Sequence, residues 1–162
     1  MIMDRRVVLW IVAGCTVLCL GVGLLVLFLG SSFVKWATQT PENIEVRVTV
    51  PGVVSLDGDY LLVVEITNLA EEEQTLDSID IDLSYLDGVV VRNAEPAYVD
   101  FSDFGDGYHS FEFRSHIPAG RTLEVVFNLT AIQTGDLSGE ISVCINSFVN
   151  CTNRFIRTIV EE

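Results

Sequence analysis

Positive charge is scarce in this chain. Nine Lys and Arg stand against 23 Asp and Glu, a net charge of −14 over 162 residues. That balance repels nucleic acid and anionic headgroups and leaves a cation or a basic surface as the complementary partner. Motifs that carry chemistry are missing too. There is no G-x-S-x-G, Walker-type or H-E-x-x-H pattern, and only two histidines. His109 and Ser110 adjoin, but strand neighbours point to opposite faces, so they do not form a nucleophile–base pair. His109 and His116 read as surface or rim residues. A thioredoxin-like C-x-x-C is absent, and no helical period appears beyond residue 43. The expectation is a chain with no catalytic residue, cofactor or metal centre.

One stretch has no charge at all. From Val7 to Gly30 every residue is uncharged and Thr16 carries the only hydroxyl. As a helix those residues reach about 36 Å, enough for a hydrocarbon core of about 30 Å. A retained transmembrane anchor over 7–34 follows, after a cytoplasmic stub at 1–6. A cleaved signal peptide fits less well, because its apolar region usually runs only about 7–15 residues. Val12-Ala13-Gly14-Cys15 resembles a lipobox that would lipidate Cys15, but the segment stays apolar to Leu29 instead of turning polar. Residues 1–35 hold Arg5, Arg6 and Lys35 against Asp4, a net of +2, so residues 36–162 carry −16. The positive-inside rule then keeps the N-terminus in the cytoplasm and places the acidic remainder outside the cell membrane, as a single-pass protein. Trp10 and Trp36 sit near the two ends as interfacial aromatics do. Cys15, Cys19 and Gly23 share one helix face, and small residues at that spacing let helices pack closely.

Residues 35–43 form a short polar linker with Pro41. From Ile44 the hydrophobic period becomes two: Ile44, Val46, Val48 and Val50 alternate with polar residues, the mark of a strand with one buried face. Turn signals at Pro51-Gly52, Asp57–Asp59 and Asp87-Gly88 separate further strands. These run over Tyr60–Thr67, Leu76–Tyr85, Val89–Val91, around Phe111 and Phe113, Leu123–Leu129, Ile141–Ile145 and Arg154–Val160. Residues 93–107 look irregular. About eight strands without intervening helices predict an all-β, antiparallel β-sandwich over 44–162.

The segments "LVVEITN" at 62–68, "IPAGRTLEVVFNLTA" from 117 and "LSGEISVCI" from 137 resemble the immunoglobulin-like modules of bacterial and archaeal membrane-anchored surface proteins. The resemblance covers most of 44–160 and implies an immunoglobulin-like adhesion or spacer fold. Its motifs describe strand edges and carry no functional residue across.

Three sets of side chains remain. Cys144 and Cys151, seven apart, are too few for a zinc site. In an exported domain, with Asn146–Val149 as a four-residue loop, they face each other across a hairpin and predict a structural disulfide. Asp100, Asp103 and Asp106 in "VDFSDFGDGY" offer calcium-type oxygens, but the spacing departs from an EF-hand and a solvated acidic loop is expected. Tyr98, Phe101, Phe104 and Tyr108 are the local aromatics that would line a binding surface or plug one end of the sandwich.

The leading functional reading is a non-enzymatic, membrane-tethered module for interaction or scaffolding, with the bilayer and another membrane or envelope protein as partners. A second is an accessory subunit of a larger membrane complex, favoured by the Cys15/Cys19/Gly23 face. A third is an envelope sensor or carbohydrate-binding domain using the four aromatics.

Overall fold

The computed structural model describes residue 41, residues 43–103, residue 105 and residues 107–162. The expected membrane segment, with Cys15, Cys19 and Gly23, lies outside them. Among the described residues, no helix is long and apolar enough to cross a membrane.

Ten strands and one helical turn follow in order: β1 Ile44–Thr49, β2 Val53–Ser55, β3 Asp59–Asn68, β4 Gln74–Asp82, α1 Leu83–Leu86, β5 Val89–Glu95, β6 Asp100–Asp103, β7 Tyr108–Ile117, β8 Thr122–Ala131, β9 Gly135–Ile145 and β10 Cys151–Glu161. They form two sheets, one of order β1-β3-β8-β5 and one of order β2-β10-β9-β4-β7-β6. This is the two-sheet sandwich that the period-two pattern predicts. Each inner strand buries alternate side chains between the sheets. Leu62, Val64 and Ile66 of β3 lie side by side with Val125, Phe127 and Leu129 of β8 in one layer, and Ile79, Ile81, Ile141 and Val143 belong to the other, all nearly or fully buried.

Four features differ from the sequence expectation. The strand read as Leu76–Tyr85 ends at Asp82, whose side chain caps the turn Leu83–Leu86 by accepting the Ser84 N–H at 2.8 Å. Hydrogen bonding from the Ser84 side chain, with the Ser84 N–H adding to it, holds the Asp82 carboxyl below its ordinary pKa. Residues 93–107 are only partly irregular, because β5 runs to Glu95 and β6 pairs with β7 as an edge strand. The pairing is not wholly antiparallel: β2 runs parallel to β10, with Ile159 opposite Val53. Ten strands form where about eight are expected, because the short edge strands β2 and β6 add to them.

The turn after Asp82 serves the core by delivering Tyr85. Its ring is fully buried, and its hydroxyl lies 3.2 Å from that of Tyr60 on β3 and 3.0 Å from Thr158 Oγ1 on β10. Thr158 in turn donates to the Pro51 carbonyl at 3.0 Å. The chain of hydroxyls crosses from one sheet to the other, so buried oxygens are satisfied within the sandwich.

Burial pushes both phenols upward, and the pairing with Tyr85 adds to the rise at Tyr60. In the unfolded chain each titrates near about 10. The neutral pair therefore contributes its full stability below about pH 10, and that stability falls as pH rises beyond it, because the unfolded state loses its protons first. Thermal midpoints should drop steeply above about pH 10, and Tyr60→Phe should flatten that slope. An equal slope in wild type and Tyr60→Phe would disprove the linkage.

Candidate functional site

The outer face of the six-stranded sheet carries a shaped polar surface built from four of its strands. Registers set it out in rows. Asp80 of β4 lies opposite Ser110 of β7 and Ser142 of β9, and Ser142 lies opposite Asn153 of β10. The next row runs Glu112, Ser78, Cys144, Cys151. Small serines at the centre leave a depression that longer neighbours rim. It forms a cleft of about 550 Å³ lined by Asp77, Ser78, Asp80, Ser110, Glu112, Arg114 and Phe148.

A β-bulge shapes this cleft. Between the pairs Leu76–Ser115 and Ser78–Glu112, β7 advances one residue more than β4. Bulges bend a strand and re-aim a side chain. Here Arg114 takes φ +52°, a left-handed conformation uncommon for a residue with a Cβ, and its Nη2 donates to Glu112 Oε2 at 2.7 Å. Ser110 Oγ donates to Asp80 Oδ1 at 2.5 Å. Three carboxylates against one guanidinium leave the cleft acidic.

Cys144 and Cys151 are joined by a disulfide at the edge of this cleft, across the expected hairpin register. Ile145 donates its N–H to the Asn150 carbonyl at 2.9 Å, which leaves Asn146–Val149 as the loop. Asp80 Oδ2 is 3.4 Å from Cys144 Sγ, but a bridged sulfur has no proton to donate. Asp80 and the two sulfurs converge within 4.8 Å. With the sulfurs bonded to each other they offer no thiolate, so the trio does not fit a soft-metal site.

The aromatic set is divided. Tyr98 and Phe101 meet edge to face at 6.0 Å between centroids, and Phe101 stacks on His109 at 5.3 Å. Together with Leu86, Val89, Val91 and Phe111 they line a separate cleft of about 250 Å³. Tyr108 does not join them. One residue from inward-facing His109, it turns to the outer face, with its hydroxyl 3.4 Å from Glu140 Oε2. Phe104 lies outside the described residues, as does Asp106. Asp100 and Asp103 sit on β6 and accept the N–H groups of Phe101 and Gly105 at 2.8 and 2.9 Å. His116 is exposed, with Nδ1 3.2 Å from Glu73.

Alternation in the sequence shows that Asp80 and Ser110 face away from the core of their own strands. Nothing local shows that they face each other, or that Arg114 and Phe148 rim the same depression. Those placements come from strand order and the bulge.

No family model and no curated protein sequence matches this chain. Among solved structures, the cupredoxin domain of amoB from Nitrosocaldus yellowstonii aligns with a TM-score of 0.50 at 8% identity, covering 76% of this chain and 90% of that one. The CARDB domain of the PF1109 protein from Pyrococcus furiosus aligns with a TM-score of 0.42 at 15% identity, over 75% and 92% of the two chains. At 8% identity the first likeness concerns architecture alone, and what it shows is a two-sheet β-sandwich comparable to that cupredoxin domain.

Proposed function

We propose that this chain is a non-enzymatic, membrane-tethered module that presents its immunoglobulin-like sandwich outside the cell membrane to another membrane or envelope protein. The observation that carries the reading is the acidic cleft on the outer face of the six-stranded sheet. It is built by a bulge, rimmed by Phe148 and held beside a disulfide-pinned hairpin. Charge complementarity selects a basic partner surface. Ser110 already donates to Asp80, and no imidazole lines the cleft among the described residues, so the arrangement suits recognition better than acyl transfer. Tethering is supported by the uncharged run from Val7 to Gly30, and the orientation by Arg5 and Arg6 before it. The sensor reading retains one support of its own, the cleft walled by Tyr98 and Phe101.

Two measurements test the proposal together. Protease added to sealed, right-side-out membranes should remove residues beyond about Lys35, the end of the span. A photo-cross-linking residue in place of Glu112 should capture a protein in native membranes, and one in place of Glu124, on the other sheet, should not. Protection of the sandwich from protease would invert the topology. Equal capture from both positions would remove the cleft as the recognition surface.

A further inference from the structure

The sandwich has two ends, and the chain enters at one of them. At that end Leu69 donates its N–H to the Asn43 carbonyl at 2.8 Å, just before β1 begins. The β9–β10 loop is held to the same end. Asn146 donates its N–H to the Thr75 carbonyl at 2.8 Å, and its Oδ1 accepts the Thr75 N–H at 2.8 Å.

Among the described residues, the loops at this end expose Phe148 at 77%, Leu69 at 60% and Val149 at 43%. Phe148 is the most exposed large hydrophobic among the described residues. The loop that carries it is locally fastened. Asn146 adopts φ +60°, Asn150 donates its N–H to the Ser147 carbonyl at 3.1 Å, and the Cys144–Cys151 bridge closes the base. A phenyl ring on a fastened loop is presented, with little ordering left to do when it meets an apolar phase.

Charge separates the two ends. The far end carries Asp57, Asp87, Glu161 and Glu162, besides the ion pair of Asp136 with Arg157. At the entry end Glu71, Glu72 and Glu73 are offset in part by Arg121, and Glu73 meets His116 at 3.2 Å. The uncharged run ends at Gly30, so 13 residues separate it from Ile44. They span at most about 45 Å. A short tether gives the entry end a high local concentration of bilayer surface, so a small apolar contact suffices.

Resting on the tethered reading above, we infer that the tip of the β9–β10 hairpin, Phe148 and Val149, seats in the interfacial zone of the bilayer that anchors the chain. An aromatic ring between headgroup and acyl chain gains burial of its apolar body. The seated tip sets the acidic cleft, which Phe148 rims, close to the membrane surface, so that it meets a partner at that height.

The test uses the full chain with Trp10→Phe and Trp36→Phe, so that a single tryptophan reports. Phe148→Trp is reconstituted in phosphatidylcholine vesicles whose acyl chains carry bromine near the carbonyl end. Phe155→Trp, at a residue 69% exposed on mid-strand β10, is the comparison. Bromine should reduce the emission of the residue-148 reporter by about two-fold or more, as expected for a ring at the headgroup–acyl boundary, and leave the residue-155 reporter unchanged. A chain that floats with the vesicles while both reporters emit equally with and without bromine overturns the inference and leaves tethering intact. A blue-shifted, unquenched residue-148 reporter also overturns it, by showing a protein cover. A chain that fails to float removes the tethered reading and the inference with it.

Discussion

Phe127→Ala should destabilise the sandwich by about 3–5 kcal/mol, the range for deleting a fully buried aromatic. Phe127 sits on β8, which pairs with β3 on one side and β5 on the other, so its ring occupies the middle of the four-stranded sheet. It is 0% exposed and packs edge to face with Phe111 at 5.2 Å and Phe113 at 6.0 Å, both from the facing sheet. Truncation removes the contacts that lock the two layers together and leaves a cavity that β8, hydrogen-bonded to β3 and β5 on its two sides, cannot collapse to fill. Phe155→Ala is the matched control: the same chemistry at 69% exposure should change stability by less than about 0.5 kcal/mol. Urea unfolding followed by far-UV circular dichroism measures both. Comparable losses at the two positions would mean that the layers are not held together by this aromatic contact.

Opening the Cys144–Cys151 bridge should cost about 2.5 kcal/mol, the chain-entropy value for so small a loop. Cys144→Ala with Cys151→Ser is the suitable pair, because Cys144 is fully buried and alanine adds no new polar group beside Asp80, whereas Cys151 is partly exposed. The register Cys144–Cys151 is followed by nine further β9–β10 pairs down to Val160–Gly135. The hairpin should therefore persist in the variant, with the loss felt at its tip and the domain still folded. Alkylation of the denatured, unreduced protein should leave both cysteines unlabelled. Label on either in material from the native host would contradict the bridge, and a variant as stable as wild type would make it energetically idle.

Much of this molecule was legible residue by residue. Period-two alternation in Ile44–Val50, Leu76–Asp82 and Ile141–Ile145 follows from the pleat, which sends successive side chains to opposite faces, so a half-buried strand writes its face into its own sequence. The hairpin was legible for the same local reason: a four-residue loop puts Cys144 opposite Cys151 whatever else the chain does. The end of β4 was not. Ile79, Ile81, Leu83 and Tyr85 sustain a strand-like alternation, yet the chain turns helical after Asp82 because the aspartate caps the turn and Tyr85 finds Tyr60 and Thr158 in the core. Those partners are 25 and 73 residues away, and no window of sequence contains them.

The candidate site marks the same division. The acidity, the uncharged run at Val7–Gly30, the strand faces and the disulfide register are set locally, because each depends on composition or on neighbours within one hairpin. Folding of the whole chain sets the strand order that puts Asp80 between Ser110 and Ser142, the parallel docking of β2 on β10, the bulge that swings Arg114 towards Glu112, and the separation of Tyr108 from Tyr98 and Phe101. The physical reason is that a strand's sequence specifies which face it buries but not which strand lies beside it. Neighbours are chosen by the packing of the whole core, and a single extra residue in one strand redirects every side chain around it.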